Sequence, residues 1–228
     1  MIDAVAVDGP AGAGKSSASR ALAGRFGFVH IDTGAMYRAV GVLADGRGVA
    51  LDDAAALGRL VADLVLEFTA GGRLVANGAD VTDAIRRPLA GELASRVSTE
   101  PGVRRRLVAI QRELAGGGRV VMEGRDIGTV VLPDARAKFY LIADPRTRAA
   151  RRAAELRAAG ESVDENALTV EIAARDQRDA GRVHSPLRPA DDALVIDTTA
   201  LGLDDVVALM ERVARERGVA TGEPPGSP

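Results

Sequence analysis

Ile2-Asp3-Ala4-Val5-Ala6-Val7-Asp8-Gly9-Pro10-Ala11-Gly12-Ala13-Gly14-Lys15-Ser16-Ser17-Ala18-Ser19-Arg20-Ala21-Leu22-Ala23 is the stretch that decides the fold. An apolar run from Ile2 to Val7 meets glycines at Gly9, Gly12 and Gly14, then passes into residues of helical composition; the pattern predicts strand, glycine loop and helix. Gly9 to Ser16 matches the G-x4-G-K-[ST] phosphate loop, for which this composition predicts only about 0.002 chance matches over the chain. Glycines let backbone N–H groups turn inward around a β-phosphate, and the helix start adds its positive end. Lys15 reaches the β- and γ-oxygens, and the Ser16 hydroxyl is a ligand for Mg2+. The motif fixes a nucleotide-phosphate site but not the task, because kinases, switches and motors all use it.

Working outward, Phe28-Val29-His30-Ile31 reads as a second strand, ending in Asp32-Thr33-Gly34 and opening a helix from Ala35 to about Asp45. Val120-Val121-Met122, Ala137 to Ile142 and Leu194-Val195-Ile196 are three more short apolar runs separated by helical stretches. Together these predict an α/β fold with a five-stranded parallel sheet. Between them the texture changes. Leu64 to Thr69 and Leu74 to Ala76, joined through Ala70-Gly71-Gly72-Arg73 and followed by Asn77-Gly78, predict a small antiparallel excursion. Helical periodicity resumes from Pro101 to Leu114 and again from about Leu203 to Arg217, and residues 218–228 are rich enough in Gly and Pro to read as a disordered tail.

The 228 residues suit one generous domain, and a composition 46% hydrophobic and 27% charged is that of a globular chain. A net charge of −2 with 3% aromatics argues against nucleic-acid binding, which needs basic excess or stacking faces. Cysteine is absent, and His30 and His184 stand far apart, so any metal is expected on oxygen ligands. The acidic start and the lack of any apolar run near ~18 residues lead to the expectation of a cytoplasmic protein without membrane contact. Of thirty basic residues only Lys15 and Lys138 are lysine. An isolated arginine is therefore weak testimony here, and a retained lysine stronger.

Three further groups fall near the carboxyl ends of predicted strands, where α/β sheets bind ligands. Asp32 either caps the following helix or sits in the outer shell of Mg2+, while Thr33 and Arg38 face an acceptor phosphate unless Arg38 is simply solvated. In Glu123-Gly124-Arg125-Asp126, Arg125 and Asp126 suit an anion and a hydroxyl or amine; the alternative is a capping Asp with an exposed Arg, and Glu123 is open between roles. Arg175, Arg178 and Arg182 recur at i, i+3 and i+7 on one predicted helix face, either gathering an anion or supported by pairs such as Arg175 with Asp179. With Arg146, Arg148, Arg151, Arg152 and Arg157 before the turn Ala159-Gly160, the segment reads as a helical hairpin able to close over nucleotide and exclude water.

Asp8 to Ser16, Asp32-Thr33-Gly34-Ala35-Met36-Tyr37-Arg38, Glu123 to Val131, Pro133-Asp134-Ala135 and Arg175 to Asp179 together resemble the bacterial cytidylate kinase family, in family order from residue 2 to about 213. The resemblance implies a three-layer P-loop kinase fold: a core of about 1–38, 96–145 and 185–217, a CMP-binding region with the antiparallel insert at about 39–95, and a helical lid at about 146–184. It implies transfer of the ATP γ-phosphoryl group to CMP or dCMP, with Mg2+. Gly9, Pro10, Ala11, Gly12, Ala13, Gly14, Lys15, Ser16 and Ser17 would then hold ATP. Thr33, Arg38, Arg104, Arg125 and Arg182 would contact the CMP phosphate or the transferring group, Ser95, Asp126, Arg175 and Asp179 the base and ribose, with Lys15, Arg125 and Arg182 catalytic. Ser16 and Asp32, directly or through water, would hold the metal. The family motif often carries Ser where Thr33 stands, and Asp or Glu at position 123.

Two other readings are distinguishable. A guanine-nucleotide switch needs N-K-x-D, and no Asn-Lys pair occurs in the chain. A kinase for another small anion, such as shikimate, would leave Ser95, Arg175 and Asp179 without a pyrimidine edge to read. No heptad seam is present, so monomer is the expected state.

Overall fold

Four consecutive apolar residues, Ala4 to Val7, before Asp8 favour a strand in the middle of a sheet, and in the computed structural model β1 (Ile2–Asp8) is that strand. The structure describes residues 1–69, 72–158, 160–182 and 185–220. The expected turns at Ala70-Gly71 and Ala159, His184 and residues 221–228 lie outside these. The parallel sheet is completed by β2 (Val29–Asp32), β6 (Val120–Gly124), β7 (Ala135–Ile142) and β8 (Leu194–Asp197) in the order β2-β6-β1-β7-β8. β1 is buried from Ala4 onward on both faces, as the central strand of a parallel sheet must be.

Contacts divide the chain into two units, Met1–Ile31 with Gly117–Pro228, and Asp32–Gly116. In the first, α1 (Lys15–Phe26) and α8 (Leu203–Glu216) cover one sheet face through Leu22, Phe26, Val207 and Met210 against Val5, Val7, Val121, Phe139 and Leu141. Ala4, Ala6 and Met122 alternate to the opposite face and are also fully buried. α6 (Pro145–Ala158) and α7 (Glu165–Ala180) form the expected helical pair. Part of the expected tail belongs to the fold: Val219 is buried in the core cluster, and its N–H donates to Ala214 O at 3.0 Å.

The second unit packs α2 (Thr33–Gly46), α3 (Ala54–Ala62), α4 (Pro88–Val97) and α5 (Pro101–Ala115) around Met36, Val40, Leu57, Val61, Val97, Val103 and Leu107. Its antiparallel sheet has three short strands, β3 (Leu66–Phe68), β4 (Leu74–Ala76) and β5 (Ala79–Asp80). Asn77 and Gly78 both have positive φ, 48° and 79°, which gives the two-residue turn with the twist a hairpin requires. Leu64 and Val65 fall outside the strand expected to begin there. Asn77 takes both main-chain groups of Val65, donating its N–H to Val65 O at 2.9 Å and accepting Val65 N–H on Oδ1 at 2.8 Å.

Candidate active site

β1 and β6 end level, with Asp8 opposite Gly124; on the other side Asp8 stands opposite Tyr140, and β7 runs two residues further, to Ile142. The chain leaves β1 through Gly9 at φ 143°, where an added Cβ would lie 2.1 Å from the Leu141 carbonyl oxygen, so only glycine fits. Two carbonyls of the loop that follows are drawn outward. Ala11 O accepts from Arg148 Nη1 at 3.2 Å and Ala13 O from Thr198 Oγ1 at 3.1 Å. A trans peptide places C=O and the next N–H on opposite sides, so these bonds turn the N–H groups of Gly12 and Gly14 the other way.

Lys15 is 6% exposed and donates through Nζ to Pro10 O at 2.7 Å. Burial, then the charges of Arg125 and Arg175, bring its pKa down to about 7 against the pull of Glu123 and Asp8. Ser16 Oγ donates to Glu123 Oε2 at 2.8 Å, and His30 Nε2 lies 3.0 Å from Glu123 Oε1. Hydroxyl and carboxylate oxygens are the hard donors Mg2+ selects. Among the described residues no three His, Cys, Asp or Glu side chains converge to cage a metal; a cation held by Ser16 would take its remaining ligands from phosphate and water, as Mg2+ commonly does at nucleotides.

Beside the loop, Asp8 receives Ile127 N–H and Gly128 N–H on its two oxygens, each at 2.8 Å, and so ties the end of β1 to the single π-helical turn Ile127–Val131. Burial lifts the Asp8 carboxyl to about 6, and nearby Asp126 adds to this, against the two backbone bonds and Lys15. Asp179, 1% exposed, accepts from Arg125 Nε at 3.0 Å and from Arg182 Nη2 at 2.5 Å. Burial pushes its carboxyl up, but Arg125, Arg182 and Arg175 outweigh this and hold it below the usual carboxylate range.

The arginine row is rearranged relative to the sequence expectation. α7 ends at Ala180, so Arg182 lies beyond the helix and folds back onto Asp179, while Arg178 is exposed. The two acids of the segment take partners outside α7: Asp179 as above, and Asp176 with Arg148 at 2.6 Å. Arg125 is pinned rather than solvated, and Asp126 is buried. Lys15, Ser16, Arg125, Asp126, Arg175, Asp179 and Arg182 thus belong to one electrostatically linked group in the first unit.

The second unit carries the remaining candidates. Asp32 does cap α2, accepting Ala35 N–H on Oδ1 at 3.0 Å, and its Oδ2 holds Arg38 Nη2 at 2.8 Å. Thr33 is 3% exposed at the first position of α2. Arg104, buried on α5, lies over the Tyr37 ring at 5.8 Å. Ser95 on α4 is buried, and its Oγ has no partner among the described residues.

Sequence reasoning missed how Arg148, Thr198 and His30 reach the loop and Glu123, and it left Asp8 without a role. The retained Lys138 is buried in an ion pair with Asp192 at 2.9 Å, outside this group.

A parallel sheet that delivers a phosphate loop, a buried lysine and clustered arginines to one edge defines a P-loop phosphotransferase. The cytidylate kinase family model matches residues 5–216. A cytidylate kinase of Geobacter sulfurreducens is 49% identical over 220 residues, covering 95% of this chain and 94% of that one. One of Pelotomaculum thermopropionicum is 49% identical over 210 residues, covering 90% and 93%. A bifunctional pantoate ligase/cytidylate kinase of Synechococcus is 45% identical over 95% of this chain and 42% of its own length. Among solved structures, an uncharacterized protein from Eubacterium ventriosum shares the fold with a TM-score of 0.51 at 13% identity, over 93% of this chain and 98% of that one. The chain belongs to the cytidylate kinase family.

Proposed function

We propose that this protein transfers the γ-phosphoryl group of ATP to CMP or dCMP, giving ADP and CDP or dCDP. The observation that carries the reading, beside family membership, is Asp179 gripped by Arg125 and Arg182 within the unit that holds the P-loop. These arginines serve the acceptor phosphate and the transferring group, with Thr33, Arg38 and Arg104 contributing from the second unit. Ser95, Asp126, Arg175 and Asp179 read cytosine and ribose.

The acceptor oxygen needs no general base, because a phosphate monoester with a second pKa near 6 is already ionised at neutral pH. Catalysis is then positioning and charge neutralisation, for which Lys15 and convergent arginines suffice as protein groups. Ser16 would hold Mg2+, its hydroxyl donating a hydrogen bond to Glu123, with Asp32 contributing through water. The cation, when bound, neutralises phosphate oxygens. Closure of the α6–α7 pair excludes water. The protein acts as a cytoplasmic monomer without nucleic-acid or membrane partners; no described helix is long and apolar enough to cross a membrane.

A coupled ADP-release assay with ATP and Mg2+, comparing CMP, dCMP, UMP, AMP, GMP and shikimate, tests this, with Lys15→Ala as control. Turnover dependent on CMP and dCMP and lost in the control is expected. Failure of every acceptor to stimulate turnover, while nucleotide still binds and is slowly hydrolysed, would overturn it.

A further inference from the structure

His30 has no part in the chemistry above, yet it touches Glu123, the buried acid of β6 that accepts the Ser16 hydroxyl. It lies on β2 with a side chain 16% exposed, and β2 neighbours β6, which carries Glu123, a side chain 4% exposed. The two oxygens of that carboxylate have distinct duties: Oε1 faces His30 Nε2 at 3.0 Å, and Oε2 accepts the Ser16 hydroxyl at 2.8 Å. A carboxylate oxygen accepts, and an imidazole donates only from the nitrogen that carries its hydrogen, so this bond requires the hydrogen on Nε2.

We propose that His30 is a positioning residue for the Mg2+-nucleotide: its Nε2–H holds one oxygen of Glu123 so that the other stays aimed at Ser16. The physical link is the single hydrogen of a serine hydroxyl. Where that hydrogen goes decides where the two lone pairs of Ser16 point. With Glu123 fixed, the hydrogen is committed to Oε2 and the lone pairs are turned toward the cation. Remove the His30 donor and Glu123 loses the bond on Oε1, so its terminal torsion, which has only broad minima, is held less tightly. Ser16 then divides its hydrogen between Glu123 and other acceptors, and the metal meets a ligand that is not held in place. Partners that orient a metal ligand in this indirect way typically set 10–100-fold in metal affinity.

This rests on the reading of Ser16 as the Mg2+ ligand beside a bound nucleotide. The test is calorimetric titration of ADP in EDTA and in excess Mg2+, on the unaltered protein, His30→Leu and His30→Gln. Leu removes the donor, whereas the Gln amide can still donate to Glu123. His30→Leu should lose roughly tenfold of the affinity gain that Mg2+ confers, the low end of the range for such partners, with ADP affinity in EDTA unchanged. His30→Gln should keep the gain within about twofold.

A His30→Leu protein that retains the full gain, or weakens equally in EDTA, overturns the proposal. If His30→Leu does not fold, 15N-histidine NMR of the unaltered protein decides, with His30 told from His184 by the His30→Gln spectrum. The Nε2–H tautomer is expected, with shifts on adding Mg2+ and ADP beyond those from ADP alone; the Nδ1–H tautomer overturns it. If the unaltered protein gains no ADP affinity from Mg2+, the donor-site reading itself has failed, which the variants alone could not report.

Discussion

Binding of a nucleoside diphosphate should draw a proton out of solution at pH 8. Lys15 is buried, and burial together with Arg125 and Arg175 lowers its pKa to about 7, so at pH 8 roughly one molecule in ten carries the charge. A diphosphate placed at the loop brings negative charge against Nζ and restores the ammonium, displacing the bond to Pro10 O. Uptake should be near 0.9 proton at pH 8, about half a proton at pH 7 and close to none at pH 6. The ligand does not mask the effect, since a terminal phosphate with a pKa near 6 is already ionised at pH 8. Titrating ADP by calorimetry in buffers of different ionisation enthalpy reads the number directly as the slope of observed enthalpy. The same lysine sets a stability trend without ligand. Its folded pKa lies below the usual 10.5, so its contribution is present above 10.5 and is lost as pH falls toward about 7. A zero slope at pH 8, or the same slope in Lys15→Ala, would refute the account of Lys15 as a largely neutral amine awaiting phosphate.

Asp8→Asn should cost about 1–3 kcal/mol, because an amide turns one N–H donor against Ile127 N–H or Gly128 N–H. The folded Asp8 pKa of about 6 exceeds the usual 3.8, so its stabilising contribution is complete below 3.8 and is lost as pH rises through 6; urea unfolding should show wild type and variant diverging as pH falls from 6 to 4. Gly9→Ala should cost about 2 kcal/mol or more and abolish ADP binding, because the new Cβ meets Leu141 O at 2.1 Å; a thermal melt and an ADP titration check both. Asp179→Asn should lower kcat/KM for CMP by roughly 10–100-fold, about 1.4–2.8 kcal/mol, by loosening Arg125 and Arg182, while ADP affinity measured separately stays the same.

Features written in local sequence were legible: the glycine loop, the five apolar runs that pair as the parallel sheet, and the Asn77-Gly78 turn. Each depends on residues a few positions apart. Features set by tertiary pairing were not. The strand order β2-β6-β1-β7-β8 is what brings His30 beside Glu123, and nothing within Phe28 to Ile31 announces it. Arg148, 4% exposed and joined to Ala11 O and Asp176, could not be told from Arg146 or Arg152 by sequence, because nearly every basic residue in this chain is arginine. The contrast with lysine carried more information, though of two kinds. Lys15 and Lys138 are both buried, the first at the phosphate loop and the second in an ion pair with Asp192, so scarcity flagged burial rather than chemistry.

Four arginines, three in the first unit and Arg38 in the second, share one device. Arg125 and Arg182 rest on Asp179, Arg148 on Asp176, and Arg38 on Asp32. A buried guanidinium without a counter-charge is costly, so without such carboxylates an unliganded phosphate site would spread its cations into water and lose its shape. The carboxylates need not leave when phosphate arrives. A guanidinium has five N–H donors in a fixed fork, and one carboxylate oxygen engages a single edge of it. Asp179 is therefore better understood as fixing the direction of two forks than as a competitor for them. This is why the neutral amide, which accepts on one atom only, should weaken CMP use while leaving the phosphate loop intact.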